Sequence, residues 1–124
     1  MAKIIVIEDD ENLLAHITVV LQMKNHEVIC YPDAPSAKNV LEISPDLVII
    51  DIFLPNGNGI ILSEEIKLLD PSFKIILTSA DQHSLHFLGE VVANAVLPKP
   101  FSGKELLQIV NNTLENNYES YLRN

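Results

Sequence analysis

Four groups of polar residues in this chain could act together on a charged ligand. They are acids, a hydroxyl and an amine, each placed directly after an apolar run: Glu8-Asp9-Asp10, Asp51, Ser79 and Lys99. Clustered carboxylates repel one another and favour a bound cation, and oxygen-only ligation suits Mg²⁺. A metal ion, an ammonium and a hydroxyl would together neutralise and hydrogen-bond a phosphoryl group. Asp51 would be the nucleophile, since carboxylates form aspartyl-phosphate intermediates.

Taken singly, each group has a plainer interpretation. The acids at 8–10 could only cap the following helix, and Asp51 could form the turn before Pro55. Ser79 and Lys99 could be ordinary loop residues. Their joint placement at the ends of apolar runs favours one shared site.

The apolar runs predict the elements that would position these groups. Five runs, several of them rich in β-branched residues, predict strands at 4–7, 27–31, 47–50, 73–78 and 95–97. Apolar residues at helical spacing follow each run, which predicts five helices. This alternation predicts an α/β fold, with a parallel sheet covered on both faces and right-handed crossovers. The carboxyl ends of such strands share one edge of the sheet, so the four groups are expected to meet there.

Local patterns predict how several elements begin and turn. Residues 33–35 (Asp-Ala-Pro) are expected to open the second helix, and 82–92 are weakly helical. Residues 56–59 (Asn-Gly-Asn-Gly) predict a turn of residues that tolerate positive φ. Ser102 and Glu105 have the spacing of a capping box. Cys30 is expected to be a small buried strand residue.

Composition excludes several classes of function. The 124 residues suggest one domain, expected at 1–118 with 119–124 as a tail or the start of a linker. Eight basic and seventeen acidic residues give a net charge of −9, which disfavours nucleic acid and suits a metal cation or a basic protein partner. A single cysteine excludes an internal disulfide and fits a reducing compartment. No apolar run approaches the roughly 20 residues of a membrane helix, so a cytoplasmic protein that does not bind membranes is expected.

Four motifs, taken in order, resemble the response-regulator receiver domain, the CheY-like phosphoacceptor half of two-component signalling. They are Val6-Ile7-Glu8-Asp9-Asp10, Asp51-Ile52-Phe53-Leu54-Pro55 with Gly59 eight residues after the acid, Leu77-Thr78-Ser79-Ala80, and Lys99-Pro100-Phe101. The resemblance covers residues 3–118. It implies a doubly wound, flavodoxin-like sheet of strand order 2-1-3-4-5 with five helices.

The resemblance also implies a metal site beside a phosphorylated aspartate. Asp51 matches the aspartate that accepts the phosphoryl group. Glu8 and Asp9 match the acidic pair that binds Mg²⁺, with Asp9 as the direct ligand and Asp10, one position further, as an added candidate. Phe53 matches the position whose backbone carbonyl also binds the metal.

A second set of residues matches the switch. Ser79 matches the switch hydroxyl, and Lys99 matches the lysine that contacts the acceptor carboxylate or its phosphoryl group. The Lys99–Pro100 bond is expected to be cis, as in relatives. Val96, three residues before Lys99, stands where receivers usually carry an aromatic ring that turns inward. The output switch is therefore expected to be muted or different.

The resemblance implies that a histidine kinase or phosphotransfer protein donates a phosphoryl group to Asp51 in a Mg²⁺-dependent reaction. The change would reach an output domain or target protein through helix four, strand five and helix five. Self-phosphorylation and autodephosphorylation are expected, but no turnover enzyme. One alternative is a small Mg²⁺-dependent aspartyl-phosphate phosphatase, although Phe53 stands where haloacid-dehalogenase-like enzymes have a second acid. The other is a receiver-like docking module without chemistry.

Overall fold

The computed structural model of the chain describes residues 1–86 and 92–115. In chain order the elements are β1 (Lys3–Ile7), α1 (Glu11–Gln22), β2 (Glu27–Tyr31), α2 (Ala37–Ile43), β3 (Leu47–Asp51), β4 (Phe53–Leu54), β5 (Gly57–Asn58), α3 (Gly59–Leu69), β6 (Ile75–Ser79), α4 (Gln82–Ser84), β7 (Ala95–Pro98) and α5 (Gly103–Glu115). None of the helices in these ranges is long and apolar enough to cross a membrane.

Five strands form one parallel sheet in the order β2-β1-β3-β6-β7. Counted along the chain, these strands have the predicted order 2-1-3-4-5, so the predicted doubly wound α/β fold is confirmed. The register places Ile7 beside Ile50, Asp51 beside Thr78, and Ser79 beside Pro98. The carboxyl ends of the strands therefore meet at one edge, as the alternating pattern predicts.

Two apolar layers enclose the sheet because successive side chains of a strand point to opposite faces. On β1, Ile5 and Ile7 join the layer that contains α2 and α3 residues, while Ile4 and Val6 join the layer of α1 and α5. The central strand β3 is buried along its whole length. A strand covered on both faces needs the unbroken apolar run seen in the sequence.

Two local predictions concerning helix starts have different outcomes. The capping box is confirmed: the Glu105 amide donates to Ser102 Oγ and the Ser102 amide donates to Glu105 Oε1, both at 3.0 Å. The predicted opening of the second helix at 33–35 is wrong, since α2 begins at Ala37. Ser36 is its cap and accepts a hydrogen bond from the Asn39 amide at 3.1 Å.

The predicted turn at 56–59 is displaced, since the turn lies at 55–56 and the residues after it form β5 and the start of α3. None of the described glycines has positive φ. The segment instead forms the antiparallel ribbon of β4 and β5. The Asn56 side chain fastens this ribbon by exchanging hydrogen bonds of 2.8 and 3.1 Å with the backbone of Ala34.

Cys30 is exposed, so the prediction that it is buried is wrong. The reason is topological: β2 is an edge strand of the sheet. The predicted cis bond between Lys99 and Pro100 is confirmed. Part of the predicted helix at 82–92, including Leu88, and the predicted domain boundary at 118 lie outside the described residues.

Candidate functional site

Asp51 ends the central strand β3 at the middle of the carboxyl edge. Its residue exposure is only 5%. Lys99 Nζ donates to Asp51 Oδ2 at 2.9 Å, and the Phe53 amide donates to Asp51 Oδ1 at 3.3 Å. Phe53 is the first residue of β4, and it is 55% exposed. One carboxylate oxygen therefore faces an ammonium, and the other rests against the backbone of the following loop.

The three acids after β1 take three different positions. Glu8 is buried, with Oε1 2.7 Å from Lys99 Nζ and Oε2 accepting the Asp10 amide at 3.1 Å. Asp9 is exposed. Asp10 is the cap of α1, and its Oδ1 accepts the amides of the next helix residues at 3.0 and 3.1 Å. Three consecutive acids therefore have three different environments: Glu8 forms an ion pair, Asp9 is exposed to solvent and Asp10 caps a helix.

The pKa values of Glu8 and Lys99 are both raised, for different reasons. Burial raises the pKa of Glu8, and the nearby charge of Asp51 adds to this, although Lys99 and the Asp10 amide oppose it. Burial alone would lower the pKa of Lys99, but its pairing with the Glu8 and Asp51 carboxylates outweighs burial, and the pKa is raised. The ammonium therefore stays charged, while two buried carboxylates share it.

The acids fit a small hard cation. Oxygens of Glu8, Asp9 and Asp51 all lie within 4.8 Å of one another, close enough to bind one ion together. Glu8 Oε1 is buried and makes no well-aligned hydrogen bond, although the Lys99 ammonium lies beside it. Carboxylate oxygens in this number suit Mg²⁺, which also retains several waters. Asp10 is outside this group because its carboxylate caps α1.

Gly59 allows the backbone to pack tightly behind Asp51. A Cβ at this position would lie 2.4 Å from the Asp51 carbonyl oxygen and 2.9 Å from Ile50 Cγ2. The Gly59 amide donates to the Ile52 carbonyl at 2.7 Å, and Asn58 caps α3. Sequence reasoning noted the spacing of Gly59 but missed this contact. The available signal was a glycine at the start of a helix, directly after a capping asparagine.

Ser79 lies at the same edge but its hydroxyl has a different partner. The side chain is fully buried, and Ser79 Oγ accepts the Asp81 amide at 3.0 Å. The Asp81 carboxylate in turn caps α4 by accepting the amides of His83 and Ser84. Hydrogen bonds from Ser84 lower the pKa of Asp81, chiefly the one from its hydroxyl. Sequence reasoning missed the capping role of Asp81. The available signal was an aspartate two residues after Ser79 and directly before a helix.

Val96 lies on β7 opposite Leu77 of β6. It is half-buried and packs against the apolar layer that contains Leu85, the residue after α4. An aliphatic side chain of the last strand therefore adds to this apolar layer.

The sequence of this chain matches a known protein family over a range that includes the residues of this site. The family model described as response regulator receiver domain matches residues 4–111. The transcriptional regulatory protein CpxR of Escherichia coli K12 is 32% identical over 108 residues, which cover 86% of this chain and 47% of CpxR. The chain thus spans about half the length of the curated relatives that it matches.

Solved structures agree as well. The response regulator TrrA of Thermotoga maritima, solved in complex with Mg²⁺ and beryllium fluoride, is 28% identical with a TM-score of 0.79. The match covers 91% of this chain and 99% of TrrA. NtrX of Brucella abortus, solved with ATP, is 26% identical with a TM-score of 0.84, covering 98% of this chain and 28% of NtrX.

Proposed function

Because this chain belongs to the family of response regulator receiver domains, we propose that Asp51 is its phosphoacceptor. One observation carries the proposal. The Asp51 carboxylate lies between the Lys99 ammonium and two further acids, at the edge where the five strands end. Glu8 shares these partners, but of the two acids only Asp51 is the last residue of the central strand β3 and matches the phosphoacceptor of receiver domains. The chain functions as a receiver domain of two-component signalling, and Asp51 would be the residue that becomes phosphorylated.

The transfer step uses the carboxylate directly. One Asp51 oxygen forms a bond to the phosphorus of a phosphohistidine while the phosphorus–nitrogen bond breaks, and the bonding electrons stay on the imidazole nitrogen. An ionised carboxylate needs no general base for this attack. Lys99 Nζ, already 2.9 Å from Oδ2, stabilises negative charge on the transferred group. Attack of water on the same phosphorus later releases phosphate and restores the carboxylate.

Glu8, Asp9 and Asp51 would hold Mg²⁺, and the Phe53 carbonyl is an added candidate ligand. When bound, the metal supplies positive charge to the phosphoryl oxygens. Glu8 then has a second role, because its buried charge is shared with Lys99 and would be offset by the cation. We assign Asp10 to helix capping rather than to the metal.

Ser79 would report the reaction to the rest of the domain. The Ser79 hydroxyl can donate its proton to a phosphoryl oxygen, and movement of Oγ toward that oxygen would exchange its present contact with the Asp81 amide for one with the phosphoryl group. That exchange would disturb the start of α4 and the apolar layer that contains Leu85 and against which Val96 packs. The surface of α4, β7 and α5 is therefore the proposed output, with an aliphatic residue in place of a turning ring.

A histidine kinase or phosphotransfer protein is the proposed donor, and an output domain or target protein the proposed recipient, in the cytoplasm. The name of CpxR describes a transcriptional regulator of about twice this length. The phosphatase and the chemistry-free docking module are not favoured. Phe53 offers no second acid, and the acid, lysine and serine groups of a working receiver are all present.

Treatment with Mg²⁺ and beryllium fluoride, the ligands named for TrrA, tests the proposal. We expect saturable changes in the amide NMR spectrum, centred on the ends of β1, β3 and β6. Asp51→Asn should abolish them, whereas Asp46→Asn should not. Asp46 is an exposed acid at the opposite edge that accepts the Lys3 amide at 2.8 Å. With a small phosphodonor, mass spectrometry should show one added phosphoryl group only when Asp51 is present. An unaltered wild-type spectrum and mass would refute the proposal.

A further inference from the structure

The outer face of α3 is unusually apolar. Ile61, Leu68 and Leu69 are 57%, 83% and 61% exposed, while Leu62 and Ile66 of the same helix pack in the core. Ile61 and Leu68 are seven residues apart, which places them on one line along the helix. A helix that covers one core needs only one apolar stripe. The second stripe has no partner within the described part of this chain.

This stripe borders two adjoining grooves between α2 and α3. One has a volume of about 450 Å³ and includes Ile61 in its wall. The other has a volume of about 380 Å³ and includes Leu68 and Leu69. Ser36 and Glu65 line both grooves, so the two form one continuous depression. We call this depression with its apolar rim the α2–α3 face.

The charges of the α2–α3 face are balanced. Among the described residues that line the grooves, Lys38 supplies a cation and Glu65 an anion. Both are exposed, and neither forms an ion pair or side-chain hydrogen bond within the described ranges. A basic helix from another protein would meet repulsion from Lys38, and an acidic one from Glu65. A surface that carries one charge of each sign suits a partner that carries the same two charges.

We infer that the α2–α3 face is a two-fold interface between two copies of this chain. In a symmetric dimer, a contact from one residue to a second is repeated in reverse. Lys38 of each copy therefore faces Glu65 of the other, and Leu68 and Ile61 are covered between them. The interface is separate from the carboxyl-edge site and does not depend on phosphorylation of Asp51. Since each copy carries a net charge of −9, association requires salt that screens the overall repulsion.

Sedimentation equilibrium of the 124-residue chain at physiological salt tests the interface. We expect a reversible dimer. Lys38→Glu alone and Glu65→Lys alone should each weaken dimerisation on the order of tenfold or more, because each places like charges together twice. Mixing the two single variants should restore a heterodimer, in which both pairs are again of opposite sign. An ion pair within one chain cannot be restored by mixing, so this outcome identifies contact between copies.

A second pair of variants tests the apolar rim. Leu68→Gln should weaken the dimer, while Met23→Gln, at a comparably exposed apolar site directly after α1, should not. Circular dichroism with thermal melts verifies that each variant is folded. A wild-type chain that stays monomeric up to about 1 mM would overturn the inference and leave the face to a different protein. A dimer unchanged by either charge reversal, or single variants not restored by mixing, would equally overturn it.

Discussion

Two half-buried lysines lie at opposite edges of the same sheet and have opposite surroundings. At the carboxyl edge, Lys99 Nζ contacts Glu8 Oε1 at 2.7 Å and Asp51 Oδ2 at 2.9 Å. At the amino edge, Lys67 Nζ donates to the Phe73 carbonyl and to Asn94 Oδ1, at 2.8 Å for the latter. The first lysine has charged partners, and the second has neutral ones.

The pKa values of the two lysines consequently shift in opposite directions. Burial lowers the pKa of Lys67, and the nearby charge of Asp70 opposes this only in part. Burial has the same effect on Lys99, but there the two carboxylates outweigh it and the pKa is raised. Lys67 ties together backbone and amide groups that precede β6 and β7. Lys99 belongs to the group of charges that we propose binds the phosphoryl group. Depth of burial alone therefore does not distinguish these two lysines, whereas their hydrogen-bond and charge partners do.

The largest expected contrast is in ligand binding. Lys99→Met should weaken the beryllium fluoride complex by about a hundredfold or more, because a charged donor to the phosphoryl analogue is lost. Lys67→Met should leave the affinity within about twofold, since its nitrogen contacts only the amino edge. Isothermal titration in saturating Mg²⁺ measures both. Equal losses in the two variants would break the distinction between the edges.

The free energy of unfolding of the same two variants should also depend differently on Mg²⁺. Without Mg²⁺, Lys99→Met leaves two buried carboxylates without their cation, and we expect a loss of about 2 to 3 kcal/mol in the free energy of unfolding. Added Mg²⁺ should recover a large part of that loss, because the cation binds the same carboxylates. The loss in Lys67→Met should be the same with and without Mg²⁺. Urea denaturation at several Mg²⁺ concentrations provides the comparison.

The backbone behind Asp51 offers a sharper test of how rigid the carboxyl edge is. Gly59→Ala should cost about 1 to 3 kcal/mol, because the new methyl group would overlap the Asp51 carbonyl oxygen. It should also weaken Mg²⁺ binding by moving Asp51. Gly57→Ala is the matched control, since a Cβ there would lie 3.6 Å from Ala34 Cβ, an ordinary contact. Thermal melts and Mg²⁺ titrations of both variants measure the difference.

The smallest expected effect is a pH dependence at the amino edge. His26 Nδ1 accepts the Ala2 amide at 3.0 Å, and burial, aided by the N-terminal amino group, lowers the pKa of His26. A lowered pKa means that the folded protein resists protonation of the ring. Its contribution to stability is therefore present above pH 6.5 and is lost as the pH falls through the folded-state pKa.

His26→Gln keeps an acceptor for the Ala2 amide but cannot titrate. Between pH 7.5 and about pH 5, the wild type should lose slightly more stability than this variant. Chemical denaturation across that range, without metal, measures the difference. Parallel curves would show that the Ala2 contact does not depend on the protonation of His26.

Most of the architecture could be predicted from local pattern. The alternation of strand and helix periodicities predicted the parallel sheet, and the resemblance predicted its strand order. The chain positions of Asp51, Ser79 and Lys99 at strand ends followed from where each apolar run stops. The errors were local and had tertiary causes. Cys30 is exposed because β2 is an edge strand, and the turn predicted at 56–59 lies at 55–56 in a ribbon that Asn56 joins to Ala34, twenty-two residues away.

The sequence by itself determined which chemical groups this protein has and at which edge of the sheet they stand, because the period of apolar residues depends only on neighbours along the chain. Only the tertiary structure decided what each group does there. In the folded chain Glu8 is buried against Lys99, whereas Asp9 is exposed. Asp10 caps α1, and Ser79 Oγ accepts a hydrogen bond from the Asp81 amide. Lys99 and Asp51 are 48 residues apart in the chain. Such a contact depends on how strands are ordered across the sheet, which no local pattern contains.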